Sequence, residues 1–203
     1  NTSSNLVGSI KYVGFPPKED PPLEDKSRWE HNHYMHQTIA EFNVSWYSKF
    51  VESTNEKEIL VSKIGDLLDG KPHISCLEIG LGIEPYFANQ LTSRFKNYTI
   101  VEKRAIETVL PPNVNLINKD WENLVLKEKY NVIIASHVVY YFKSKKKAVA
   151  KMLQALTDNG RVIFVVNGKE SDYGPLKLAF AGMLGSTYTF TYDELMKLLE
   201  GKN

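Results

Sequence analysis

Apolar positions along this chain follow two periods. Ile59, Leu60, Ile64, Leu67 and Leu68 fall on one face at helical spacing and predict a helix over 56–68, which Gly70 and Pro72 end. Upstream, Gln37 to Val51 predicts an aromatic-rich helix carrying Phe42, Trp46, Tyr47 and Phe50. Beyond Pro72 the pattern changes to short apolar runs at 74–79, 98–102, 114–117, 130–135 and 161–166, the length of buried strands. Helical stretches at 85–95, 103–110, 144–156 and 172–184 fall between or after them. Strands alternating with helices imply right-handed crossovers and a mostly parallel sheet covered on both faces, an α/β fold. Thr191-Tyr-Asp-Glu194 is a capping box that starts a last helix through Leu195, Leu198 and Leu199. Gly-Phe-Pro-Pro and Asp-Pro-Pro mark residues 1–30 as an extended arm. The expected division is that arm, a helical segment over 31–71 and an α/β core over 72–203.

Composition narrows the function. With 203 residues the chain can build one sizeable core, and 42% apolar with 24% charged residues is ordinary for a globular protein. A formal net charge of +1 argues against duplex nucleic acid or an anionic membrane as partner. The single cysteine, Cys76, lies inside the first predicted strand and suits a reducing compartment, so a cytoplasmic location is expected. No apolar run approaches the roughly 20 residues of a membrane span.

The chemistry concentrates at Ile74-Ser-Cys-Leu-Glu-Ile-Gly-Leu-Gly82, answered by Tyr98-Thr-Ile-Val-Glu102. A strand ending in Gly-x-Gly brings backbone close to a ligand, and an acid at the tip of the next strand can hold a ribose diol. These are the parts of a nucleoside-cofactor site. A dinucleotide fingerprint needs a third glycine or alanine where Pro85 stands, and a pyrophosphate would face Glu78 and Glu84. A cofactor bearing a sulfonium and an ammonium suits those acids, so S-adenosylmethionine (SAM) is favoured over NAD.

Glu78-x-Gly80-x-Gly82 resembles the acid-x-Gly-x-Gly motif of class I SAM-dependent methyltransferases, with Glu84 in place of the usual third glycine. The resemblance covers roughly residues 72–200. It implies a Rossmann-like fold and passage of Gly80 and Gly82 under the methionine part of SAM. It also implies contact of Glu78 with the amino group and acceptance of both ribose hydroxyls by Glu102. Asp120 falls where the family places an acid for the adenine amino group, and Trp121 beside it could stack on the ring. Asp120 also reads as the N-cap of a short helix and Trp121 as packing. Ser136 and His137 end the fourth strand at the ligand-binding edge. The family normally adds two further strands after the last helix, and only five parallel strands are counted here; the expectation is a sequence cut short, a minimal member, or a sheet edge covered by another chain such as a homodimer partner.

Trp29-Glu-His-Asn-His-Tyr-Met-His36 packs three of the five histidines into six residues. No cysteine or acid cluster supports a metal there, and no metal is expected. The better reading is a lid: in many small-molecule methyltransferases the segment before the core closes over SAM. Tyr34 then becomes a cofactor and acceptor contact, and His36, Phe42 and Trp46 line the acceptor side. Val138-Val-Tyr-Tyr-Phe142 resembles the corresponding segment of histamine N-methyltransferase-like enzymes, making Tyr140 and Tyr141 acceptor contacts. The expected function is methyl transfer from SAM to nitrogen or oxygen of a small molecule, leaving S-adenosylhomocysteine (SAH). His137 and His36 are the base candidates, since histidine alone titrates near neutrality unperturbed. The rival readings are a non-catalytic methyltransferase-like subunit and an NAD(P)-dependent oxidoreductase.

Overall fold

The computed structural model describes residues 44–68, 73–168 and 190–200. Two helices, α1 (Val44–Ser53) and α2 (Glu56–Leu67), precede strand β1 (His73–Ile79). Helix α3 (Tyr86–Leu91) leads to β2 (Phe95–Val101), and β3 (Val114–Ile117) and β4 (Tyr130–Ser136) follow. Helix α4 (Lys145–Gln154), β5 (Leu156–Val165) and α5 (Tyr192–Leu199) complete the described elements. The five strands form one sheet in the order β3-β2-β1-β4-β5, and every pairing is parallel. This is the Rossmann-like arrangement expected, with β1 and β4 adjacent at its centre.

Strand periodicity sorts the side chains into two layers. Cys76, Tyr98, Ile100, Val132, Ile134 and Ile163 meet Leu60 and Ile64 of α2 and Phe87, Ala88 and Leu91 of α3. On the opposite face Leu77, Ile79, Ile133 and Ala135 meet Val149 and Met152 of α4 and Leu195 and Leu199 of α5. Burial on both faces explains why these strands read as apolar runs instead of alternating ones. Glu78 lies on the α2/α3 face of β1, in phase with Cys76.

Most expected elements stand within a few residues, but the helix over 103–110 does not form. That stretch carries the β-branched Ile106, Thr108 and Val109 and runs into Pro111-Pro112, which disfavours α geometry in the residue before it. Asn118 also claims the backbone, its Nδ2 donating to the carbonyls of Glu102 at 2.8 Å and Arg104 at 2.7 Å. Strand β5 begins earlier than its apolar run because Leu156 pairs with Tyr130 across a register irregularity. At α5 the amide of Thr191 donates to Glu194 Oε2 at 2.8 Å, as a capping box requires. The expected helix over 172–184 lies outside the described residues.

Candidate active site at the carboxyl edge of β1 and β4

Connections leave β1 toward β2 and β3 on one side and continue through β4 and β5 on the other. The crevice outside the carboxyl ends of β1 and β4 is therefore the switch point where open parallel sheets bind ligands. Five predicted residues converge on it from β1 and β4: Glu78, Gly80, Gly82, Ser136 and His137. Glu102 reaches the same turn from the end of β2.

The turn after β1 needs its glycines. Gly80 and Gly82 have φ of 83° and 77°, in the left-handed region where a Cβ is strained. A Cβ on Gly80 would also lie 2.9 Å from Val138 Cγ2, so this backbone is packed directly against the loop after β4. The Gly80 amide is held by the Val101 carbonyl at 2.9 Å, and Leu81 donates its amide to Glu102 Oε2 at 3.0 Å. The acid at the tip of β2 thus fixes the glycine turn as well as facing the crevice.

Glu78 is 1% exposed, and its Oε2 accepts the Tyr98 hydroxyl at 2.7 Å. Its Oε1 has no hydrogen-bond partner among the described residues. Burial pushes this carboxyl up to about 7, opposed by the Tyr98 hydrogen bond and the charge of Lys57 and assisted by Glu102. The same burial holds the Cys76 thiol and the Tyr98 phenol well above their ordinary values. A buried carboxylate with one bare oxygen below a glycine turn is an electrostatic seat for a cation.

Glu102 is 5% exposed and heavily engaged. Oε1 accepts the Arg104 amide at 2.9 Å and Nε at 3.1 Å, while Arg104 Nη2 donates to the Gly82 carbonyl. The guanidinium therefore lies across the turn, on the carboxylate oxygens expected to accept a ribose diol.

Two consecutive residues at the start of α2, missed in the sequence, reach the two lips of the crevice. Lys57 Nζ pairs with Glu84 Oε1 at 3.0 Å and lies 5.3 Å from the centre of the Tyr86 ring. Glu56 Oε1 lies 3.2 Å from His137 Nε2. Their only sequence signal was two charges opening an apolar helix, which ordinarily marks a solvated first turn.

His137 has φ of 50°, left-handed for a residue with a side chain. Its amide donates to the Val165 carbonyl at 2.9 Å and its Nδ1 meets the Tyr140 hydroxyl, while Nε2 is buried 3.2 Å from Glu56 Oε1 without a hydrogen bond aligned between them. Tyr140 and Tyr141 follow in a single turn of 3₁₀ helix with their rings 5.8 Å apart, edge to face.

Asp120 caps the 3₁₀ turn Trp121–Asn123, its Oδ1 accepting the Glu122 amide at 2.7 Å. Trp121 is 3% exposed within the α4/α5 layer. Its indole N–H donates to Ala148 at 3.3 Å and Lys151 Nζ lies 4.5 Å from the ring centre. The packing role expected as the alternative accounts for each of these contacts. Tyr34, His36 and Phe42 lie outside the described residues, and Trp46 is placed only as a backbone position in α1. Among the described residues no group of three or more His, Cys, Asp or Glu could hold a metal. Among them, too, no helix is long and apolar enough to cross a membrane.

The sequence profile described as "Methyltransferase domain" matches residues 47–199, three quarters of the chain. The chain belongs to this methyltransferase family. Solved methyltransferases share its fold. The plantazolicin methyltransferase BamL, in complex with a triazolic desmethyl-plantazolicin analog and SAH, superposes with a TM-score of 0.60 at 20% identity, covering 77% of this chain and 65% of BamL. A methyltransferase from an antibiotic biosynthesis pathway of Anabaena variabilis gives 0.58 at 20% identity, over 70% of this chain and 59% of that one. The N-methyltransferase NodS from Bradyrhizobium japonicum gives 0.52 at 18% identity, over 72% and 83%. The chain spans less than two thirds of BamL and of the Anabaena protein. No curated protein sequence matches it significantly. The family is that of methyltransferases, and the residues present fit SAM: a bare buried carboxylate oxygen, two left-handed glycines and an acid at the tip of β2. The likeness of the tyrosine pair to histamine N-methyltransferase-like enzymes finds no support among these relatives.

Proposed function

We propose that the chain transfers the methyl group of SAM to a nitrogen or oxygen of a small-molecule acceptor. The observation that carries this reading is Glu78, buried, half-satisfied and placed beside the glycine turn. Its bare oxygen would take the ammonium of the methionine moiety. Glu102 would accept the ribose hydroxyls after the Arg104 guanidinium moves off the carboxylate. Asp120, with one oxygen on its cap, would receive the adenine amino group, and Ser136 and His137 border the transfer position. The bound cofactor supplies an electrophilic methyl on a sulfonium, so the protein's part is alignment, exclusion of water and removal of the acceptor's proton. NodS, named an N-methyltransferase, and BamL, crystallised with a triazolic desmethyl-plantazolicin analog and SAH, are the neighbours that support this reading.

The test is SAM offered with panels of small amines and hydroxyl compounds, with SAH measured by mass spectrometry. Acceptor-dependent SAH and a product heavier by one methylene support the reading. SAH no higher than in acceptor-free controls would leave a binding subunit as the better account.

A further inference from the structure

We propose that Tyr140, His137 and Glu56 form a proton relay for the acceptor, with Tyr140 meeting it and Glu56 acting as the positioning residue behind His137. The proposal rests on the methyl-transfer reading above and changes the role of His137. Both of its ring nitrogens are already faced by protein groups, Nδ1 by the Tyr140 hydroxyl and Nε2 by Glu56 at 3.2 Å. The histidine therefore reaches an acceptor through the tyrosine oxygen and not directly.

The order of the relay follows from the charges. Nε2 makes no aligned hydrogen bond, but the Glu56 carboxylate 3.2 Å away favours by its charge the tautomer with the proton there, leaving Nδ1 as an acceptor. The Tyr140 hydroxyl then donates to Nδ1, and a phenol oxygen that donates can still accept from a ligand N–H or O–H. Side-chain exposures of 23% for His137 and 11% for Glu56 limit screening of the pair by water. The left-handed backbone at His137 is a cost the fold bears, and at that angle the ring meets α2 and the tyrosine turn together. The Lys57–Glu84 pair, one residue along α2, holds the same helix end against the opposite lip.

In the transfer, the acceptor's nitrogen or oxygen gains the methyl, and the sulfonium becomes a neutral thioether. The acceptor's proton passes to the Tyr140 oxygen as the phenolic proton passes to Nδ1. The positive charge ends on the imidazolium beside Glu56 and is later released to water as a proton. This chemistry suits an acceptor that must lose a proton, a hydroxyl or a primary or secondary amine, and has nothing to do for a tertiary amine or a thioether.

The first test is long-range ¹H–¹⁵N NMR of the His137 ring in the unliganded chain. Wild type should show the Nε2–H tautomer with a hydrogen-bonded Nδ1. Tyr140→Phe should move Nδ1 to the resonance of a bare acceptor nitrogen, and Glu56→Gln should mix the tautomers. An Nδ1–H tautomer in wild type, or an Nδ1 resonance indifferent to Tyr140→Phe, overturns the relay. With an acceptor that wild type turns over, Tyr140→Phe should lower kcat about 10²-fold with KM unchanged. An unchanged kcat also overturns it. SAH titration of the same samples separates the two claims. Loss of SAH binding in every sample sinks the methyl-transfer reading, whereas normal binding with the wrong tautomer sinks the relay alone.

Discussion

Replacing Glu78 by glutamine removes its charge while keeping its shape, and the consequence depends on pH. The carboxyl has an ordinary value of 4.5 and burial pushes it up to about 7 in the folded chain. Below pH 4.5 both folded and unfolded chains hold the proton. Between 4.5 and about 7 the unfolded chain releases it while the folded chain retains it, so stability falls as pH rises. Above that range both are ionised and the loss is complete. At about 1.4 kcal/mol per pH unit, the wild type should lose about 3 kcal/mol relative to Glu78→Gln across the window. The neighbouring Cys76 and Tyr98 are held neutral there by their raised values and add no slope of their own. Urea unfolding of both proteins at a series of pH values, followed by circular dichroism, reads the difference directly. A ligand ammonium at the bare Oε1 favours the ionised form, so saturating SAH should flatten the wild-type decline. Wild-type and variant curves that run parallel through the window would refute the reasoning, because Glu78 would then titrate alike in both states.

Further expectations follow from the same turn. Glu102→Ala should weaken SAH binding about tenfold to a hundredfold by calorimetry, since hydrogen bonds to a charged group are each worth about 1.5–3 kcal/mol. Arg104→Gln should tighten SAH about threefold to tenfold, because the guanidinium no longer competes for the Glu102 oxygens and the Gly82 carbonyl; unchanged or weaker binding would mean that it does not block the diol. Gly80→Ala, with φ of 83° and a 2.9 Å approach to Val138, should cost about 1–3 kcal/mol in chemical denaturation and reduce SAH affinity as well.

The parts of this site visible in the sequence are those that local chemistry dictates. Glycines at left-handed positions and the acid after β2 that accepts the Leu81 amide are tied to the turn itself, so Gly80, Gly82 and Glu102 stood out by spacing, whereas Glu78 took its role from the resemblance of the motif. The five strands were legible for the same reason, as burial on both faces leaves unbroken apolar runs. Glu56 and Lys57 were not, because their meaning lies in contacts to His137 and Glu84 across the fold, and no local pattern encodes a partner 81 or 27 residues away. Tyr98 carries no site signal in the sequence, because its hydroxyl meets Glu78 only through the pairing of β1 with β2. Residues 103–110 show the converse error. Their composition allowed a helix, but the two prolines and Asn118 decide otherwise, and an extended loop leaves the Arg104 amide facing Glu102.

The most direct measurement is isothermal titration of the purified chain with SAM, SAH and NAD. The account predicts micromolar binding of both sulfur ligands and silence from NAD, with SAH binding weakened about tenfold to a hundredfold in Glu102→Ala. Binding of NAD with no response to either sulfur ligand would contradict it, as would SAH affinity indifferent to Glu102.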